Sequence, residues 1–344
     1  MAATLAEITR GDRVESVHQG NVAVVDAGGE LVAWAGDFDT PVFFRSSAKI
    51  FQAIPLITTG AADAYGFSTE ELALACASHN GTGRHQDIVR SMLRKSGLAE
   101  DDLRCGFSPP LDEAEQARIT LGQVAPSQVI CECSGEHAGM VAACHHAGWN
   151  VDQYVQPDHP LQRLIKAIMV AACGVPPSEL TLATDGCSIP TFGAPLRSFA
   201  RAYAVVADPD DAQWSGWPEW RTAIHRLREA MLLHPELISG DGEIDTTIMQ
   251  QTNGAVIAKL GAEGLLCLAV PERRLGIAIS DVGGSTRSLG PAAIAVLGDM
   301  ALVERDQLER LSEELCPPIE TFAGHPVGMT RPALKLERSP PVQD

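Results

Sequence analysis

The chain has 344 residues, 45% of them hydrophobic and 20% charged, which is enough apolar material for a large core and too little charge for disorder. Its 26 Lys and Arg against 44 Asp and Glu leave a formal charge of −18 with no basic stripe, which excludes nucleic acid and acidic membrane surfaces as partners. No apolar run reaches the ~20 residues of a membrane span, and Met1 to Arg13 has no apolar core of signal-peptide length, so a cytoplasmic protein is expected.

Val14 to Gly36 reads as three short strands, with Ala27-Gly28-Gly29-Glu30 turning between Val22–Asp26 and Leu31–Ala35. Arg45-Ser46-Ser47 then opens an apolar helix from Ala48 to about Ala62. Further helices are expected over Thr69–Ala77 and Arg84–Arg94, with Ser78-His79-Asn80-Gly81-Thr82-Gly83 as the loop between them. Pro109 to Ser127 is polar and irregular. The middle is helix-rich, with helices over Glu136–Gly148, Pro160–Cys173, Pro195–Ala207 and Trp220–Leu233. Strand character returns at Gly254–Lys259, Leu265–Val270 and Leu275–Asp281, and a last helix runs from about Ser285 to Val303.

Strands at both ends with helices between them predict an α+β fold. The N- and C-terminal strands form one antiparallel sheet, about 10–65 and 250–335, and a helical subdomain, about 66–249, is inserted between them. Residues 1–335 form a single catalytic unit, and 336–344 read as a loose, Pro-rich tail.

Several clusters carry chemistry. Ser46-Ser47-Ala48-Lys49 is a Ser-x-x-Lys at a helix start, where a three-residue spacing puts Ser46 and Lys49 on one face. A lysine buried among Ala48, Ile50 and Phe51 can act as the base for the serine, whereas a bland reading makes Ser46 or Ser47 an N-cap and Lys49 a surface residue. Ser78 opens the loop after a small apolar helix and faces either a cleft or solvent. Lys259 ends an apolar strand, as a functional lysine or as one that emerges to pair with Glu263. Nine cysteines, an odd number, argue against a disulfide framework. Cys133, Glu136 and His137, with the distant Asp185 and Cys187, are acceptable zinc donors, although their spacing is not that of a zinc finger.

Arg45-Ser46-Ser47-Ala48-Lys49, Ser78-His79-Asn80-Gly81, Cys133-Ser134-Gly135-Glu136-His137-Ala138-Gly139, Thr184-Asp185-Gly186-Cys187, His234-Pro235-Glu236 and Ala258-Lys259-Leu260-Gly261-Ala262-Glu263-Gly264 follow one another in this order. In order and spacing the chain resembles the asparaginase II family of the Rhizobium etli type, from about Arg13 to Arg331. The resemblance implies a fold like that of serine β-lactamases and glutaminases, a homodimer, and hydrolysis of L-asparagine to L-aspartate and ammonia. It also implies two Ser–Lys pairs, Ser46 with Lys49 and Ser78 with Lys259. A zinc ion would be held at Cys133, Cys187 and position 136, in a pocket lined by Arg45, His137 and Asp185. The sequence departs from the family at Glu136, where a lysine is expected, and at Glu243-Ile244, where an arginine is expected before Asp245-Thr246.

The reading that follows is an amidohydrolase that attacks through Ser46, with Lys49 taking the proton directly or through Ser78 and Lys259. A related hydrolase of glutamine or a β-aspartyl compound is the alternative within enzymes. A catalytically inactive ligand-binding relative is the alternative outside them.

Overall fold

The computed structural model describes residues 1–210 and 218–339. The strands are β1 (Ala3–Arg10), β2 (Arg13–Asp26), β3 (Leu31–Ala35), β4 (Pro41–Phe43), β5 (Thr181–Thr184), β6 (Pro190–Pro195), β7 (Ile257–Gly261), β8 (Leu265–Val270), β9 (Leu275–Asp281), β10 (Pro318–Glu320), β11 (Pro326–Pro332) and β12 (Glu337–Arg338). The fold is α+β, as expected. Nine strands form one sheet in the order β10-β11-β1-β2-β9-β8-β7, with β3 pairing β2 and β12 pairing β3. Every pairing is antiparallel, and strands from both ends of the chain meet at β2–β9, where Gly20 faces Asp281 and Asp26 faces Leu275.

The sheet departs from expectation in four places. Val14 to Gly36 forms two strands, because β2 continues for 14 residues. β1 lies in a stretch without any apolar run; it buries only Leu5, Ala6, Ile8 and Thr9. Beyond Val303 the chain adds a helix, Arg305–Leu315, and the hairpin β10–β11. The start of the expected loose tail is held in place, since Glu337–Arg338 pairs with β3 and Ser339 N–H donates to the Val32 carbonyl at 3.1 Å. Residues 340–344 of that tail lie outside the described residues.

β9 is buried at all seven positions, so both of its faces are covered. The helices Leu196–Ala207 and Leu289–Asp299 pack against it. Gly276 makes the first contact possible: a Cβ there would stand 1.9 Å from the Ala200 carbonyl oxygen and 2.1 Å from the Ala204 nitrogen. The helix backbone thus lies directly on the strand, and no other residue fits. Leu196–Ala207 belongs to the stretch expected to form the inserted subdomain, yet it is a sheet-covering helix.

The inserted stretch is mostly helical, with Thr69–Ala75, Gly83–Ser96, Ser134–Ala147, Pro160–Cys173 and Pro218–Leu233 as its main elements. A short helix, Glu113–Thr120, replaces part of the irregular segment. β5 and β6 also fall inside this stretch, and β6 pairs with β4 from the N-terminal part. The apolar helix after Ser47 is broken into Lys49–Gln52, Ile54–Thr58 and Ala61–Ala64. Pro55, which has no N–H, and Gly60, at φ 82°, account for the breaks.

Candidate active site

Arg45–Ala48 forms a single 3₁₀ turn that leads into the helix at Lys49, and in such a turn residues three apart lie one above the other. Neither serine caps it. Ser47 is buried and its Oγ donates to the Lys259 carbonyl at 3.0 Å, while Tyr203 OH donates to the Ser47 carbonyl at 2.9 Å. Phe44 just before the turn is stacked on Phe199 at 4.1 Å between ring centroids. β7 comes close on the other side: a Cβ on Gly261 would sit 2.9 Å from Ser47 Oγ and 3.0 Å from the Phe44 carbonyl oxygen. The turn that presents Ser46 is therefore bolted to the strand that carries Lys259. Arg45 holds a positive φ of 47°, a conformation costing of order 1–3 kcal/mol for a non-glycine residue. Its guanidinium is fixed by Asp185 Oδ1 through Nε at 3.0 Å and Nη2 at 2.9 Å.

The two lysines sit in opposite electrostatic settings. Lys49 Nζ donates to the Ala77 carbonyl at 2.7 Å and stands 3.3 Å from Glu136 Oε2. Burial works against its charge, but Cys133, Glu136 and Cys187 outweigh burial and hold its pKa above the ordinary lysine value. Lys259 Nζ donates to Asp245 Oδ2 and to the Leu260 carbonyl, both at 3.1 Å. Here burial wins: helped by the charge of Lys49 and opposed by Asp245, it lowers the Lys259 pKa. The partner of Lys259 is Asp245, not Glu263. Asp245 is fully buried, and its Oδ2 also accepts from Ser239 Oγ at 2.9 Å and Leu260 N–H at 3.0 Å.

Ser46, Ser78 and Lys259 line one cavity of about 200 Å³, together with Asn80, Glu132, Ser239, Glu243 and Thr286. Lys49 does not line it. Residues 78–80 are clipped between two loops, Ser78 and Asn80 donating to the carbonyls of Ile238 and Ser239, and His79 to that of Glu132. Ser78 Oγ is buried without a hydrogen-bond partner. The His79 ring accepts the Gly81 N–H at Nδ1, so Nε2 carries the proton and donates to Ser134 Oγ at 3.0 Å. Ser134 passes its own proton to the Val129 carbonyl, and this chain anchors the first turn of helix Ser134–Ala147.

That first turn holds the possible metal ligands. One ligand atom each from Cys133, Glu136 and Cys187 lies within 4.8 Å of the others, and all three residues are buried. Thiols of Cys131 and Cys187 donate to Cys133 Sγ and, with Lys49 near, bring its pKa well below the usual thiol value. Cys187, as a donor to Cys133, is raised in turn. Burial pushes the Glu136 carboxyl up to about 8 against the pull of Lys49. Both of its oxygens are buried without a hydrogen bond, and the Lys49 ammonium at 3.3 Å is its ion-pair partner. Zinc bonds of about 2.3 Å to sulfur and 2.1 Å to oxygen require these atoms to gather by at most about an ångström. Two thiols and a carboxylate whose oxygens accept no hydrogen bond fit that ion.

His137 is fully buried, hydrogen-bonded through Nδ1 to Tyr154 OH, with Nε2 unpartnered, and burial lowers its pKa to about 4. It does not line the cavity of Ser46. Arg45 borders a second cavity of about 410 Å³, which shares Ala262 with the first. Asp245, Asn80, Glu132, Ser239 and Tyr154 escaped the sequence reading as site residues. For Asp245 a signal existed: a lysine in an apolar strand requires a buried counter-charge.

The sequence profile of the L-asparaginase II family matches residues 6–332. Among curated proteins no significant match is found. Among solved structures the chain is similar to Mglu in its tris and glutamate form, at 16% identity and a TM-score of 0.39, covering 83% of this chain and 60% of that one. It is also similar to a putative β-lactamase from Bacteroides dorei DSM 17855, at 13% identity and a TM-score of 0.39, covering 76% and 84%. A β-lactamase (Mb2281c) from Mycobacterium bovis matches at 11% identity and a TM-score of 0.38, covering 81% and 94%. The chain spans about three-fifths of the length of that Mglu chain.

Proposed function

Because the chain belongs to the L-asparaginase II family, whose members are amidohydrolases, we propose that it hydrolyses the side-chain amide of L-asparagine to L-aspartate and ammonia through a serine-bound acyl intermediate. One observation carries this reading: two serines and a buried lysine of lowered pKa share a single cavity. Ser46 Oγ attacks the amide carbon, and its proton passes to Lys259 Nζ, with the unpartnered Ser78 hydroxyl as the relay. The N–H of Ser46 at the start of the turn stabilises the oxyanion. Lys259 returns the proton to the departing nitrogen, ammonia leaves, and an ester to Ser46 remains. Water then attacks that ester, giving its proton to Lys259, which restores it to Ser46.

Lys49 has a different part in this scheme. Its pKa is raised, so it serves as a fixed positive charge beside the Ala77–Ser78 backbone, and Lys259 is the base. Zinc also belongs to the proposal, with Cys133, Glu136 and Cys187 as the residues that would hold it. When bound it supplies a fixed positive charge that polarises nearby groups. A homodimer in the cytoplasm completes the reading; the nine free cysteines, eight of them buried, suit a reducing compartment.

Ammonia release from L-asparagine by wild type, Ser46→Ala and Lys49→Met tests the proposal. Ser46→Ala is expected to lose at least about 10³-fold in kcat, since removal of a nucleophile leaves little residual rate, and Lys49→Met to lose activity with the fixed charge. Near wild-type release from folded Ser46→Ala refutes the acyl-serine route.

A further inference from the structure

The lining of the Ser46 cavity is acidic. It includes the carboxylates of Glu132 and Glu243, and the only cation among its described lining residues is Lys259, whose ammonium is already engaged by Asp245. Among the described residues no arginine lines it. Arg45 borders the second cavity and gives two nitrogens to Asp185. Two residues that line the first cavity, Asn80 and Glu243, offer acceptors. Asn80 Nδ2 donates to Glu243 Oε1 at 3.2 Å, and Asn80 Oδ1 is buried without any donor. A carboxylate plus an unsatisfied carbonyl matches an ammonium, which has three N–H groups to give and one positive charge. A substrate carboxylate meets like charge there and finds no free donor fork.

We propose that this cavity recognises its amide substrate by a cationic amine, held by Glu243 and Asn80 with Glu132 adding to the field, and disfavours a free carboxylate. The substrate class is therefore a small primary carboxamide that carries an ammonium group and lacks a carboxylate. L-Asparagine carries both groups, so it is a permitted substrate rather than the preferred one. This inference rests on the amide-hydrolase reading of the same cavity, and its test separates the two.

Three compounds dissect the asparagine molecule. 3-Aminopropanamide is asparagine without its carboxylate, and succinamate is asparagine without its ammonium. Ammonia release is measured for all three at pH 7.5 with wild type, Glu243→Gln and Glu132→Gln, and binding is measured by calorimetry on folded Ser46→Ala. The expected result is a kcat/KM for 3-aminopropanamide at least tenfold above that for asparagine, with succinamate lowest. Glu243→Gln compresses that order at least tenfold, and Glu132→Gln compresses it less. Asparagine or succinamate turned over as well as 3-aminopropanamide overturns the inference and leaves the amidohydrolase standing. No ammonia from any compound, with 3-aminopropanamide alone binding to the Ser46→Ala protein, overturns the hydrolase reading and keeps the cationic ligand. Neither turnover nor binding overturns both.

Discussion

Replacing Asp245 by Asn removes the counter-charge of Lys259 with almost no change in volume. Asp245 Oδ2 accepts from three donors, Lys259 Nζ, Ser239 Oγ and Leu260 N–H, so the amide of Asn must turn either an N–H towards them or a single carbonyl that cannot compensate the charge. Breaking a buried ion pair from one side costs about 3–5 kcal/mol. With 344 residues the entropy of unfolding is about 0.7 kcal/mol/K, so the melting temperature falls by about 4–7 °C. The pH dependence adds a sign. Lys259 in the folded chain titrates below its usual 10.5, so the unfolded chain binds more protons and stability rises with pH between the two values. Asp245 opposes that shift, and without it the folded pKa drops further. The loss of stability in Asp245→Asn is then largest at neutral pH and shrinks as the solution becomes alkaline. Activity follows the same group. The ascending limb of the pH–rate profile, set by deprotonation of Lys259, moves to lower pH in the variant. Thermal melts from pH 6 to 10 and ammonia release over the same range read both effects. A melting temperature within 1 °C of wild type, or a limb that stays in place, refutes the assignment of Lys259 as a base tuned by Asp245.

Two further outcomes are expected. Protein purified without chelator should carry about one zinc per chain and lose it in Cys187→Ser, with a cobalt(II)-loaded sample showing thiolate charge-transfer absorption; wild-type protein devoid of zinc and unable to take up cobalt counts against the donor set. Gly276→Ala should lower the urea midpoint by the equivalent of about 3 kcal/mol, the upper end of ordinary overpacking, because its Cβ meets helix backbone rather than a flexible side chain; an unchanged midpoint shows that the helix can lift away.

Apolar patterning made the frame legible. Val22 to Val25 and the runs Leu265–Val270 and Leu275–Asp281 are the centre of the sheet, and the helix Pro160–Cys173 begins at its proline and ends before Gly174. What escaped lacks such patterning. Thr181–Thr184 is exposed at all four positions, and β6 begins and ends in proline, so neither resembles a core strand. Glu113–Thr120 buries only Glu115 and shows no apolar stripe. In the site, Ser46, Ser78, Lys49 and Lys259 were marked by motif, but their division of labour was not. That division depends on which carboxylate each lysine meets, Glu136 or Asp245, and those contacts are made between segments far apart in the chain. The Ser-x-x-Lys spacing suggested a pair, whereas three-dimensional neighbours raise the pKa of one lysine and leave that of the other lowered.

The hydrogen bond from Ser47 to the Lys259 carbonyl spans 212 residues of chain. On a ribosome adding about 5–20 residues per second, the strand bearing Lys259 is made roughly 10–40 s after the turn that presents the nucleophile. Through that interval the nascent chain has a turn not yet braced by β7. On the proposed mechanism, hydrolytic competence cannot precede the synthesis of Lys259, and a chain terminated before it lacks the base. Turnover measured during translation would then report only chains extended past Lys259.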